Sequence, residues 1–215
     1  MRRRRMLRRM AGMETRQAMN NLNRLRIVLW TLVVVVGLSA AGLYVYSATR
    51  PSVAQNLGDG DYQLLTASGE PFTRASLVGH PSMLFFGFTH CPEVCPTSLA
   101  EMTAWYQTLG DEAKDLKAYF VTVDPERDTP EIMGDYVAWT GHVTGVTGTP
   151  EEIEKAAKAW AIYYQKVPLD DGDYTMDHTA SVFLLNKEGN FEGTIAYRED
   201  STTAIAKLRK LLARG

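Results

Sequence analysis

The sequence predicts an α/β sandwich, a central sheet covered by helices on both faces, preceded by a single transmembrane helix. Three observations predict it. Residues 27–46 are twenty consecutive uncharged residues. Beyond residue 61, short apolar runs alternate with segments of helical spacing, the pattern of strand–helix units around one sheet. The chain then changes to a hairpin and a closing helix.

The N-terminal part is read first. Residues 1–26 carry nine Arg and one Glu, a net charge of +8. The uncharged stretch Ile27 to Tyr46 would span roughly 30 Å as a helix, the thickness of a bilayer's hydrocarbon core. Trp30, Tyr44 and Tyr46 lie near its ends, where aromatic side chains favour the interface. The Arg-rich flank is expected to stay in the cytoplasm. The rest then lies across an inner membrane, in the periplasm. A cleaved signal peptide has a shorter apolar region, about 7–15 residues. No Cys follows the run to carry a lipid, and a buried core helix leaves the one-sided Arg flank unexplained. The expected organisation is a cytoplasmic tail at 1–26, an anchor at 27–46, a linker at 47–61 and one domain at 62–215. Residues 51–215 hold 13 Lys+Arg against 24 Asp+Glu, a net of −11. That balance argues against nucleic acid as a partner, because phosphate binding needs clustered cations.

Within the domain, Tyr62 to Thr73 reads as a small hairpin about Ser68-Gly-Glu70. Met83-Leu-Phe-Phe-Gly-Phe88 is fit for a buried strand. Pro96 to Leu109 shows helical spacing at Leu99, Met102, Trp105 and Tyr106. Lys117 to Val123 is a second strand. Thr129-Pro130 starts a helix, a capping Thr followed by Pro in the first turn. Val143 to Val146 is a short strand. Thr149-Pro-Glu-Glu152 reads as a capping box opening a helix to about Tyr164. Ala180 to Leu185 and Phe191 to Tyr197 form the last hairpin, about Asn186-Lys-Glu-Gly189, and Ser201 to Leu212 the last helix. This order matches the thioredoxin topology.

The two cysteines, Cys91 and Cys95, sit at CxxxC spacing between a buried strand and a helix. A helix N-terminus stabilises a thiolate and lowers its pKa. If the helix includes both, they share one face, with Cα atoms about 6 Å apart, within disulfide range. A structural bridge closing so short a loop would stabilise little. Closed zinc sites want four ligands, so two His would have to converge on the pair. Thiolates are soft and select Cu(I), and two thiolates with one imidazole satisfy a three-coordinate copper site. Of four His, His80 sits in a Gly-His-Pro turn, His142 at a helix end where it can cap carbonyls, and His90 should aim away from the pair. His178 precedes the strand at Ala180, in the loop that faces the active-site cysteines of a thioredoxin-like fold. Reductases of that fold usually place a cis-proline there, and this chain has none between 169 and 215. Asp177 is placed to orient the imidazole. Asp124, at another strand end, is placed either to reach the cysteines or simply to start a helix.

The segments Phe85-Phe-Gly-Phe-Thr-His-Cys-Pro-Glu-Val-Cys-Pro96, Val123-Asp-Pro-Glu-Arg-Asp-Thr-Pro130 and Asp177-His-Thr179, followed by an apolar strand and Asn186-Lys-Glu-Gly189, occur in that order. In order and spacing they resemble the Sco/SenC family of copper-binding assembly proteins over most of residues 55–213. Members often have Asp where Glu93 stands, which keeps the charge. The resemblance implies a thioredoxin-like fold, with copper, as Cu(I) or Cu(II), held by the residues matching Cys91, Cys95 and His178. Asp124 matches a supporting acidic position. It further implies delivery of copper to the binuclear centre of cytochrome c oxidase subunit II, or thiol reduction of that centre's cysteines. Partners expected from this are subunit II, another copper chaperone and a thioredoxin-like reductant. Two classes of function follow, a metallochaperone and a thiol–disulfide oxidoreductase. His178 separates them, because thiol exchange needs no imidazole ligand.

Overall fold

The first described element is a helix because nothing in it competes with helical hydrogen bonding. α1, Arg26–Ser47, is 22 residues long and apolar enough to cross a membrane. Two of its hydroxyls bond inward. Thr31 Oγ1 donates to the carbonyls of Ile27 at 3.0 Å and Val28 at 2.8 Å, and Ser47 Oγ donates to Tyr44 at 2.9 Å. These bonds occupy the Thr31 and Ser47 hydroxyls within the helix, as a lipid environment favours. The computed structural model describes residues 26–47, 56–170 and 172–214. The Arg-rich tail to residue 25, and 48–55 of the expected linker, lie outside the described residues. The chain divides into two compact units, Met1–Pro51 and Ser52–Gly215.

The second unit is built on a seven-stranded sheet. Its strands are β1 (Leu64–Thr66), β2 (Pro71–Phe72), β3 (Ser82–Gly87), β4 (Lys117–Thr122), β5 (Val143–Thr147), β8 (Ser181–Leu185) and β9 (Phe191–Ala196). Their order is β2-β1-β5-β4-β3-β8-β9. β3, β4 and β5 are parallel, and β1, β2, β8 and β9 add antiparallel edges. β3 is buried along its whole length, as its unbroken apolar run requires. Consecutive side chains on a strand point to opposite faces. Phe85 therefore stacks on Phe120, which stacks on Tyr136 of the helix α3 (Pro130–Val137). Phe86 instead meets Phe183, which meets Trp160 at the end of α4 (Pro150–Ala159). Helices thus cover both faces of a thioredoxin-like sheet. α2 (Val94–Leu109) packs against α5 (Ser201–Leu212).

Both Thr-Pro helix starts form as their chemistry predicts. Thr129 Oγ1 accepts from the Ile132 amide and Thr149 Oγ1 from the Glu152 amide. The reciprocal arm of the expected capping box is replaced. Glu152 Oε2 accepts the Gln63 amide at 2.6 Å, a donor just before the short strand β1 that outcompetes the helix's own. α4 stops at Ala159 rather than Tyr164, because Ala161 takes φ 52° and turns the chain out of the helix. Residues 56–61, within the expected linker, dock on α4: Gly58 N–H bonds Ala159 O at 2.8 Å, under the Trp160 ring.

An unforeseen hairpin follows. β6 (Tyr164–Pro168) and β7 (Tyr174–His178) pair antiparallel in a two-stranded sheet of their own, with Tyr164 opposite His178.

Candidate metal centre

The thiol side of the site grows out of the main sheet. β3 ends at Gly87, and the loop to α2 carries Thr89, His90 and Cys91. A buried carboxylate, Asp128, ties this loop to the end of β4. Its Oδ2 accepts the Thr89 amide at 3.1 Å and Thr122 Oγ1 at 2.6 Å, and its Oδ1 accepts Thr89 Oγ1 at 2.6 Å. Thr147 of β5 donates to the Asp128 carbonyl at 2.7 Å. Burial raises the pKa of the Asp128 carboxyl, and the Thr122 and Thr89 bonds oppose the rise.

α2 begins at Val94, so Cys95 lies inside it and Cys91 in the turn before it. The pair does not share a helix face. Instead Cys91 Sγ accepts the Cys95 amide at 3.3 Å, taking one of the unpaired donors at the helix N-terminus. Cys95 is fully buried and Cys91 keeps 9% of its surface. Gly87 makes this seat. A Cβ there would lie 2.6 Å from Cys95 Sγ and 2.6 Å from the Phe120 ring.

Both cysteines are free thiols, and they ionise unequally. The Cys95 thiol, donating to Cys91, pulls the Cys91 pKa down to about 4, helped by His178 and the Cys95 and Glu93 amides and opposed by burial. Cys95 shifts upward, because it gives that hydrogen bond and is buried beside a thiolate. Of the two thiols, Cys91 is therefore the one that ionises first.

The imidazole arrives on the hairpin. His178 closes β7, and its Nε2 stands 3.6 Å from Cys95 Sγ. Its Nδ1 lies 3.0 Å from the Thr179 carbonyl, which can only accept, so Nδ1 carries a proton and Nε2 is the ring nitrogen that faces the sulfurs. Phe85 and Phe88 flank the ring edge-on at 6.3 and 5.8 Å. Asp177, the expected orienting acceptor, is exposed, and the carbonyl takes that role.

Asp124 is fully buried but faces the hairpin rather than the thiols. Arg127 Nε donates to its Oδ2 at 2.5 Å, and the Tyr174 hydroxyl to its Oδ1 at 2.8 Å. Arg127 Nη1 also donates to the Tyr174 carbonyl at 3.0 Å and to Asp173 at 3.2 Å. The guanidinium lies 3.8 Å over the Tyr174 ring, with Lys166 Nζ 4.5 Å from the same ring. This clamp fastens the far end of the hairpin to the turn after β4. Its members Arg127 and Tyr174, and Asp128, are supporting residues that sequence reasoning did not single out. Helix initiation at Thr129-Pro130 accounts locally for an acid at position 128, so Asp128 carries no separate signal.

The other histidines are engaged elsewhere. His80 Nδ1 lies 3.0 Å from Ser82 Oγ and His90 Nδ1 3.1 Å from Thr89 Oγ1. His142 stacks on Tyr106 at 4.4 Å instead of capping a helix.

Among the described residues, Cys91, Cys95 and His178 are the one group of possible metal ligands that converges, with all three ligand atoms within 4.8 Å of one another. Two sulfurs and an imidazole nitrogen, half enclosed by apolar rings, form a soft donor set suited to copper and poor for hard cations.

Comparison with known proteins bears on this centre. Residues 51–213 match the family model SCO1/SenC. The structure "Structure of Bradyrhizobium japonicum ScoI with copper bound" is 42% identical, covers 71% of this chain and 98% of its own, and superposes with a TM-score of 0.65. The copper-bound ScoI of Arabidopsis thaliana is 32% identical, with 74% and 99% covered and a TM-score of 0.69. The mitochondrial SCO2 homolog of Danio rerio is 38% identical over 139 residues, 63% of this chain and 50% of that protein. The chain spans about half the length of the curated relatives it matches. The extent of the family match, together with the fold and the thiol–imidazole group, shows that the chain belongs to the SCO1/SenC family.

Proposed function

We propose that this protein is a membrane-anchored copper metallochaperone. It binds copper through Cys91, Cys95 and His178, and assists assembly of the binuclear copper centre of cytochrome c oxidase subunit II. The observation that carries this reading is the convergence of the three ligand atoms within 4.8 Å. The copper-bound relatives support the choice of metal. Loading displaces the Cys95 proton to solvent, and release of copper to an acceptor's ligands takes a proton back. Another copper chaperone supplies the metal, and the acidic domain is drawn to basic surfaces on its partners. In this reading α1 spans the inner membrane, residues 1–26 are cytoplasmic, 47–61 form the linker, and 62–215 work in the periplasm. The test is titration of the full-length, detergent-solubilised chain with Cu(I) against a competing chelator. His178→Ala is expected to lose more than the roughly 10–100-fold that removing an outer partner of a ligand costs. Unchanged affinity and stoichiometry would sink the three-ligand site.

A second reading is favoured by the unequal ionisation of the thiols. As a thiol–disulfide oxidoreductase, Cys91 would attack a disulfide of the subunit II copper centre, or of another extracytoplasmic protein. Cys95 would then resolve the mixed disulfide. The target gains two electrons, the pair becomes a disulfide, and a thioredoxin-like reductant restores it. This activity survives His178→Ala, whereas copper binding does not.

A further inference from the structure

Two residues other than glycine take a left-handed backbone among the described residues, Ala161 at φ 52° and Arg198 at φ 57°. Ala161 follows the C-cap of α4, where a left-handed residue is common. Arg198 is different. It is the third residue of the turn after β9, closed by the Glu199 amide on the Ala196 carbonyl at 3.1 Å. A positive φ at that position calls for Gly or Asn, and an arginine there costs backbone energy. Such a cost points to a use for the side chain. The guanidinium meets the segment between the cysteines. Arg198 Nη2 donates to Glu93 Oε1 at 2.9 Å, and the Tyr197 hydroxyl donates to the same oxygen at 3.4 Å. Glu101 of α2 lies against the Arg198 amide and guanidinium.

Glu93 is the N-cap residue of α2, yet its side chain makes no cap bond. The place such a side chain fills is taken by Cys91 Sγ, which accepts the amide of Cys95, the second residue of the helix. The Glu93 carboxylate turns instead to the loop between β9 and α5. We propose that Arg198 is a positioning residue of the metal centre: through Glu93 it fixes the segment between the two cysteines, so that both sulfurs stay turned to one point. The inference rests on the copper reading above. Glu93 is the middle residue between the cysteines, so restraining it restrains both ends. Cys95 already has a seat, in α2 and over Gly87. Cys91 lies outside the helix and gains most from a tether. The ion pair is exposed, at 64% for Arg198 and 66% for Glu93, so its weight in folding is small. Its effect falls on the placement of a ligand, to which metal affinity is sensitive.

The test compares full-length chains in detergent: wild type, Arg198→Gly, Glu93→Ala, the double variant, and Ala161→Gly as the control. Glycine removes the guanidinium and relieves the backbone at once, so metal-free Arg198→Gly is expected to melt no lower than wild type. It should nevertheless bind Cu(I) about fivefold more weakly in competition titration, the weight of an exposed charge pair. Amide exchange at Glu93, Val94 and Cys95 should quicken in the reduced, metal-free variant. Glu93→Ala should weaken Cu(I) binding to a similar degree, and the double variant no further. Ala161→Gly should keep the copper affinity and that exchange of wild type. Four results each overturn the inference alone: unchanged affinity in Arg198→Gly, an affinity loss that comes with a lower melting point, additive losses in the double variant, or an equal loss in Ala161→Gly. Lack of cysteine-dependent Cu(I) binding by wild type overturns it together with the copper reading.

Discussion

Asp124 and Asp128 lie four residues apart in one turn, both are fully buried, and they hold opposite halves of the same site. Asp128 binds the thiol loop to β4, through partners that belong to the main sheet and its immediate extension. Asp124 binds Arg127 and Tyr174, and so fastens a hairpin that pairs only within itself. The sulfurs are therefore set by the fold, and the imidazole by a side-chain clamp. The difference teaches that the stability of the domain and the completeness of its ligand set are separable properties. One carboxylate serves mainly the first, its neighbour mainly the second.

The largest effect expected from this contrast is at Asp128. Asp128→Ala strands the Thr89 amide and two Thr hydroxyls in the interior, and should cost about 3–4 kcal/mol in denaturant unfolding. A loss under about 1 kcal/mol would mean the thiol loop is held by something else.

A second effect is expected in the ionisation of Cys91. The reduced, metal-free chain should alkylate at Cys91 at pH 6 at least ~100-fold faster than an ordinary thiol of similar access, since such a thiol ionises near 8.5. The sign of the coupled stability follows. The folded pKa of about 4 lies below the unfolded value. The thiolate's contribution is thus full above about pH 8.5 and fades as pH falls through the folded pKa. The stability gap between wild type and Cys91→Ser should shrink over that window. A gap that is flat with pH contradicts the shift.

Arg127→Ala should lower copper affinity about tenfold by loosening the carrier of His178, an effect typical of an outer partner of a metal ligand. Hydrogen exchange should quicken in β6 and β7 and stay unchanged in β3 and β4. Equal loosening of both sheets would break the comparison. The smallest effect is Tyr174→Phe, which removes one of the two side-chain donors to the Asp124 carboxylate and should cost about 1 kcal/mol. Its exchange signature should again be confined to the hairpin.

Most of the fold was legible because the signals were strong and local. The continuous apolar run of β3, the Thr-Pro starts of α3 and α4 and the hairpin about Asn186–Gly189 each carry a physical cue that tertiary packing did not overrule. The β6–β7 hairpin was not legible. Its strands are half exposed, β6 ends on Pro168, and no clean alternation marks either strand. The Asp171-Gly172 pair was the available turn signal. Within the site, the approach of Cys91, Cys95 and His178 could be read from chain order and topology. The direction of Asp124 could not. Whether a buried carboxylate faces a thiol or a guanidinium depends on where an unforeseen hairpin lies, and that is not written in the seven residues around it. Asp128 was missed for a different reason. Helix initiation already explained an acid beside Thr129, and the longer-range bonds to Thr89 and Thr122 leave no local trace.

The glycine under Cys95 has a consequence for traffic through the site. Because position 87 lacks a side chain, one sulfur sinks to the floor of the pocket while the other remains at its lip. A pair arranged by depth has a front and a back. If the protein hands copper on as proposed, an incoming ligand would meet Cys91 before the fully buried Cys95, and exchange at the sulfurs would open at Cys91 and finish at Cys95. A methyl group at position 87 would meet Cys95 Sγ and the Phe120 ring at 2.6 Å, so the buried sulfur would have to leave its seat.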